Sequence, residues 1–100
     1  MNVYEALAEP HRRRIIELVG EGERTAGEIV EALKISQPGA SKHLRVLREA
    51  GLVEARIDAQ RRVYRLKPEK LAEVDAWLAP YRRFWVSKLD ALVDHVMGDN

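Results

Sequence analysis

Apolar residues near the start of the chain recur at helical spacing. The pattern predicts a short first helix from Val3 to Leu7 and a second helix from Pro10, because proline is tolerated in the first turn of a helix. The apolar positions of the second helix stop before Gly20, where we expect this helix to end. The N-terminal region therefore predicts two consecutive helices.

Two further helices follow, with a short connection between them. Thr25 and Glu28 have the spacing of a capping box, in which each side chain accepts a hydrogen bond from the other residue's backbone N–H, and they predict a helix through Leu33. Ser36 is a good N-cap for the next helix, and Gly51 stands just past its expected end. The order of helix, short turn and helix is typical of a helix-turn-helix motif.

The second helix of this motif, about residues 37–50, has one narrow apolar stripe. At about 100° per residue, Leu44 and Leu47 lie within about 40° of Ala40, so the opposite face is free for solvent or a ligand. Amide and hydroxyl groups can read base edges, and cations can reach phosphates or a guanine. We therefore predict DNA contacts at Ser36, Gln37, Pro38, Ser41, Lys42, His43 and Arg45.

The apolar period then changes from helical to alternating. Two runs rich in β-branched residues, 53–57 and 61–66, flank the polar residues 58–60 and predict a β-hairpin. Arginines of this hairpin can bridge phosphates or enter a minor groove. We expect Arg56, Arg61 and Arg62 to contact DNA.

A long helical pattern from Pro68 completes the chain. Its apolar residues alternate at spacings of three and four, and they exceed what the small body of residues 1–67 can cover. Pro80 lies inside the pattern, where it should kink or split the helix near Ala79. The surplus predicts a dimer interface formed by Val3, Leu7, Leu78, Tyr81, Trp85, Leu89, Leu92 and Val96.

These elements predict one mainly α (α+β) winged helix-turn-helix domain over residues 1–100. The helix-turn-helix occupies about residues 25–50, the wing about 52–67 and the C-terminal dimerisation helices about 68–97. Charge supports a polyanion partner, because residues 36–68 carry eight Lys/Arg and three Asp/Glu while both flanks are slightly acidic. The start of the chain lacks the features of a signal peptide, and no apolar run is long enough for a membrane span, so we expect a cytoplasmic protein.

Several segments of the chain resemble the ArsR family of bacterial winged-helix repressors. Residues 35–53, ISQPGASKHLRVLREAGLV, are similar to the recognition helix of that family; residues 6–15, ALAEPHRRRI, resemble its start, and residues 62–66, RVYRL, its wing strand. The resemblance covers about residues 4–67. It implies homodimers that pack through their first and last helices, repression at an inverted repeat, and often release by an effector.

The chain departs from the metal-sensing members of this family. It has no cysteine, and Trp77 stands where a histidine of the last helix is expected in those members. The histidines His11, His43 and His95 lie far apart on different predicted elements, so no metal site or cofactor is predicted and we expect DNA binding not to respond to metal. The resemblance therefore does not imply a metal-sensing role, and any effector remains unknown.

Functions other than DNA binding have less support in the sequence. No catalytic constellation or phosphate-binding glycine loop is present, so an enzyme is not predicted. A winged helix can instead serve as a protein-interaction module without a DNA role. The aromatic residues Trp77, Tyr81, Phe84 and Trp85 could also line an effector pocket of a small-molecule-sensing regulator, although aromatics at helical spacing more often pack an interface.

Overall fold

The computed structural model describes residues 1–98, which form five helices and one three-stranded antiparallel sheet with the order β1-β3-β2. The helices are α1 (Val3–Leu7), α2 (Pro10–Glu21), α3 (Ala26–Leu33), α4 (Gln37–Glu49) and α5 (Glu69–Gly98), and the strands are β1 (Arg24–Thr25), β2 (Val53–Asp58) and β3 (Arg61–Leu66). This order confirms the winged helix-turn-helix predicted from the sequence.

The predicted caps form at both helices of the helix-turn-helix. Thr25 Oγ1 accepts from the Glu28 backbone N–H at 3.1 Å, and the Glu28 carboxylate accepts from the Thr25 N–H at 2.8 Å. Ser36 Oγ accepts from the Gly39 N–H at 3.1 Å and starts α4. Between the two helices Lys34 adopts a left-handed conformation, which ends α3 and lets α4 leave in a new direction.

Two helix boundaries differ from the sequence prediction. α2 continues through Gly20 to Glu21, because a single glycine costs a helix only about 1 kcal/mol and packing of the apolar face offsets this. α5 runs unbroken through Pro80, so the proline does not split it; only the hydrogen bond of the missing N–H is lost while the flanking turns remain helical.

The end of α4 depends on Gly51. This residue has φ 78°, a left-handed conformation that glycine adopts without a Cβ penalty, and it turns the chain from α4 into β2. A Cβ at this position would lie 3.3 Å from Lys70 Cγ, so the start of α5 also crowds it. The glycine therefore joins α4 to strand β2.

Strand β1 was not predicted from the sequence, because two residues show no periodicity. It pairs with β3 through Arg24 opposite Tyr64 and Thr25 opposite Val63. Thr25 is also the N-cap of α3, so one residue attaches the start of the helix-turn-helix to the sheet of the wing.

The core lies between α2, α3, α4 and the base of the sheet. Ile15, Ile29, Leu47 and Leu52 are completely buried there, each side chain contributing about 1.5–3 kcal/mol through burial. Val3 is also part of this core, with only 3 % of its surface exposed. The prediction that Val3 forms part of a dimer interface is therefore wrong, because almost none of its surface is left to bury.

α5 packs on this body only through its first third. Leu71 and Val74 contact the core, and Tyr4 of α1 meets the Trp77 ring edge-on at 6.0 Å. Every residue from 79 to 98 is exposed. Within the described part of the chain no helix is long and apolar enough to cross a membrane.

Candidate nucleic-acid interface

The orientation of α4 follows from its apolar stripe. Ala40, Leu44 and Leu47 are at most 2 % exposed and hold one side of the helix against the core. The opposite side and the N-terminus are exposed at Ser36, Gln37, Pro38, Ser41, Lys42 and Arg45, which are residues predicted to contact DNA. A helix presented in this way can enter a major groove with its polar face.

The cations of α4 are available to an external anion. Lys42, Arg45 and Arg48 are exposed, and none of them has a carboxylate partner within residues 1–98. Arg48 was not among the predicted DNA contacts, although its charge on the helix was visible in the sequence. With Glu49, Arg45 and Arg48 line a shallow surface depression.

The wing and the helix-turn-helix border a common groove of about 360 Å³. It is lined by the N-termini of α3 and α4 and by the tip of the hairpin, through Thr25, Ala26, Gly27, Gln37, Gln60, Arg61 and Arg62. Helix N-termini and arginines both favour a negatively charged ligand. The groove therefore joins the two predicted parts of the interface on one surface.

Most arginines of the wing are held by carboxylates. Arg56 pairs with Glu23 at 2.6 Å, Arg61 pairs with Asp58 at 3.2 Å, and Arg65 pairs with Glu54. Arg62 is exposed and has no carboxylate partner in the described part of the chain. Because exposed pairs of this kind contribute at most about 1 kcal/mol, Arg56 and Arg61 can exchange their partners for phosphates at low cost.

His43 points towards the start of α2 rather than into the exposed face of α4. Its ring stacks on His11 with centroids 5.5 Å apart, and its Nδ1 lies 3.8 Å from Glu9 Oε2 and 3.5 Å from an Arg12 guanidinium nitrogen. Glu9 in turn caps α2 by accepting the Arg12 backbone N–H at 3.0 Å. In the free protein His43 is thus a contact between helices, and its DNA contact stays a prediction.

The environment shifts two pKa values in this cluster. Burial lowers the pKa of His43; the charge of Glu9 opposes this shift and that of Arg12 adds to it. For Glu9, burial would raise the pKa, but the hydrogen bonds from the Arg12 backbone and from His11 lower it overall. Glu9 is therefore a carboxylate at neutral pH. Sequence reasoning missed this cluster because its two histidines, His11 and His43, lie 32 positions apart in the sequence.

The exposed part of α5 carries a continuous apolar face. We define it by the predicted interface residues of this helix that are exposed: Tyr81, Trp85, Leu89, Leu92 and Val96. Leu78 is half-buried at the inner end of this face, and Leu7 is half-buried on α1, where it packs against the core. Such a face is large for a monomer surface and is typical of an interaction site.

The structure gives little support to the predicted effector pocket of aromatic residues. The rings of Trp77 and Tyr81 are adjacent, with centroids 5.4 Å apart, while Phe84 lies under the Lys88 ammonium group at 4.6 Å. A groove of about 520 Å³ does run along α5, but its lining does not include these aromatic residues.

A helix-turn-helix domain family matches residues 7–56 of the chain. The chain is 44 % identical to the arsenic resistance transcriptional regulator ArsR1 of Pseudomonas putida, over 97 % of this chain and 78 % of that protein. It is 35 % identical to the transcriptional repressor SdpR of Bacillus subtilis, over 77 % of this chain and 86 % of the repressor.

The fold of this chain is also similar to that of a solved structure over most of both chains. The crystal structure of an ArsR family transcriptional regulator superposes with a TM-score of 0.73 and 27 % sequence identity, covering 84 % of this chain and 87 % of that regulator. The likeness therefore extends from sequence to the arrangement of helices and wing.

Proposed function

Since this chain belongs to the ArsR family of winged helix-turn-helix transcriptional regulators and is a DNA-binding regulator, we propose that it acts as a homodimeric repressor at an inverted-repeat operator. In this proposal α4 enters the major groove and the hairpin β2–β3 contacts the flanking backbone or minor groove. The repressor activity named for the similar protein of Bacillus subtilis supports the direction of regulation.

The observation that carries the proposal is the exposed positive charge of α4, the helix whose N-terminal Gln37 lines the groove shared with the wing. Lys42 and Arg45 have no carboxylate partner within residues 1–98, whereas Arg56 and Arg61 are paired. Placing a phosphate or a base edge against α4 therefore breaks no ion pair. We assign Gln37 and Ser41 to base contacts, and Arg56, Arg61 and Arg62 of the wing to phosphates.

The apolar face of α5 supports the homodimer. Trp85 and Leu89 are 48 % and 59 % exposed, so about half of each apolar side chain is left uncovered by residues 1–98. A second copy would cover the face and would place two α4 helices on one side of the duplex, about 34 Å apart. An inverted repeat matches this two-fold arrangement.

The arsenic response in the name of the similar Pseudomonas protein is not part of the proposal. Arsenite is bound by thiolates, and the 100 residues of this chain contain no cysteine. Any effector of this repressor therefore acts through other groups.

DNase I footprinting on the DNA upstream of the protein's own coding region tests the proposal. We expect protection of two half-sites separated by about one helical turn, and a bound complex containing two chains. A matched DNA in which one half-site is scrambled should bind much more weakly. Protection of a single half-site, or equal binding to scrambled DNA, would contradict a dimeric repressor.

A further inference from the structure

The histidine cluster between α2 and α4 contains a set of metal-ligating atoms, and of its three residues only His43 is also a predicted DNA contact. Glu9, His11 and His43 each offer one such atom, and these three atoms lie within 4.8 Å of one another. Glu9 Oε1 and His11 Nδ1 are 3.1 Å apart. The sequence predicted no metal site, because the histidines lie on separate elements; the fold brings two of them together.

We propose that this cluster binds a divalent transition-metal ion such as Zn²⁺, with His11 Nδ1, His43 Nδ1 and one Glu9 carboxylate oxygen as ligands. Two imidazoles and a carboxylate are a ligand set that zinc accepts, and three protein ligands leave the fourth tetrahedral position for water. The side chain of His11 is 47 % exposed, so an ion can enter from solvent.

The distances need only small side-chain rotations to suit an ion. Zinc bonds of about 2.0–2.1 Å place tetrahedral ligand atoms about 3.4 Å apart. Glu9 Oε1 lies 3.1 Å from His11 Nδ1 and Glu9 Oε2 lies 3.8 Å from His43 Nδ1, so the two histidines face different oxygens of one carboxylate and each separation is within about 0.4 Å of this value. The two rings already stack at 25°, with both Nδ1 atoms close to the same carboxylate.

One neighbouring group opposes the ion. The Arg12 guanidinium lies 3.5 Å from His43 Nδ1 and is held there by the carbonyls of Ala6 and Glu5, at 2.6 and 3.2 Å. Its charge repels a cation, and its contact with His43 must be given up. We therefore expect an affinity in the micromolar range, weaker than that of a structural zinc site.

A bound ion would join the N-terminus of α2 to the middle of α4. Because the three ligands converge only in the folded chain, the ion binds the native state selectively and must raise the midpoint of thermal unfolding. This stabilisation can be measured without DNA. A negative result for metal binding would therefore leave the DNA-binding proposal intact, and a negative result for DNA binding would leave the metal site intact.

The experiment is a titration of the full chain, without a histidine tag, with Co²⁺ followed by visible absorption and then by displacement with Zn²⁺. We expect one ion per chain and a rise in the unfolding midpoint. H11Q and E9Q, which alter partly exposed side chains, should each weaken binding at least about tenfold. H95Q is the matched control, since it removes the histidine outside the cluster, and it should bind like the parent.

H43Q completes the series, with circular dichroism to establish that it folds. If H43Q does not fold, the metal affinities of H11Q and E9Q test the proposal. Absence of saturable binding up to millimolar Co²⁺ and Zn²⁺ would overturn the proposal. So would an unchanged affinity in H11Q, or a loss of binding in H95Q alone.

Discussion

Arg45 shows how a single side chain on α4 relates to function. It is exposed, has no carboxylate partner within residues 1–98, and lies on the side of the helix opposite the buried Leu44 and Leu47. We predict that Arg45→Ala lowers operator affinity by about 1–3 kcal/mol, the usual value of a good base contact, with unchanged thermal stability. Fluorescence anisotropy with labelled operator DNA measures the affinity.

The double variant Gln37→Ala with Ser41→Ala should lower affinity for the operator more than for random DNA, because amide and hydroxyl groups read base edges. Arg14→Ala is the control for charge, since it removes an exposed cation of α2 that pairs with Glu17. If the α4 variants bind the operator like the parent while remaining folded, α4 does not read the DNA.

The charge of Glu28 should make the stability of the folded protein depend on pH. Hydrogen bonds from the backbone and side chain of Thr25 lower the pKa of this carboxyl below its ordinary value of 4.5. A lowered folded pKa contributes stability that is present above pH 4.5 and is lost as the pH falls through the folded value. Glu28→Gln should therefore be less stable than the parent at pH 7, and the difference should shrink on acidification.

Urea unfolding at a series of pH values between 7 and 3 measures this difference. Glu31→Gln, on the same helix but outside the capping box, is the control. A stability difference between the parent and Glu28→Gln that does not change with pH would mean that the charge of Glu28 contributes nothing to the start of α3.

At the scale of elements, the wing should act mainly through phosphates. Arg61 and Arg62 line the groove shared with α4, and arginine contacts to phosphates are independent of sequence. Replacing both with alanine should weaken binding to operator and random DNA alike, and should reduce the slope of log affinity against log salt by about one for each lost phosphate contact.

Arg65→Ala is the matched control within the hairpin, because Arg65 is paired with Glu54 and does not line the groove. It should leave the salt slope close to that of the parent. A loss confined to one base position of the operator, with an unaltered salt slope, would mean instead that the hairpin reads bases.

At the scale of the whole molecule, the apolar face of α5 predicts an obligate partner. Sedimentation equilibrium should give about twice the chain mass of 11.4 kDa. Leu89→Glu or Leu92→Glu should dissociate the dimer or unfold it, because burying an unpaired carboxylate is costly. Both changes should also abolish high-affinity binding to a two-half-site operator.

Ser87→Glu adds the same charge about 180° around the helix from this face and should leave the dimer intact. A stable monomer of the parent protein would contradict both the interface and the two-half-site operator.

The sequence by itself determined the local structure of this protein. The capping box of Thr25 and Glu28, the N-cap Ser36 and the left-handed Gly51 depend on interactions within a few residues, so their spacing sufficed to predict the helix-turn-helix. Apolar periodicity likewise predicted the inward stripe of α4 and the hairpin, because each period corresponds to one kind of element.

Only the tertiary structure decided which distant residues meet. The pairing of β1 with β3, the burial of Val3 and the convergence of His11 with His43 each depend on how separate elements pack. No periodicity encodes such contacts, since the residues belong to different elements. The same holds for the ion pair between Arg56 and Glu23, which are 33 positions apart, because a charge in the sequence does not specify its partner in space.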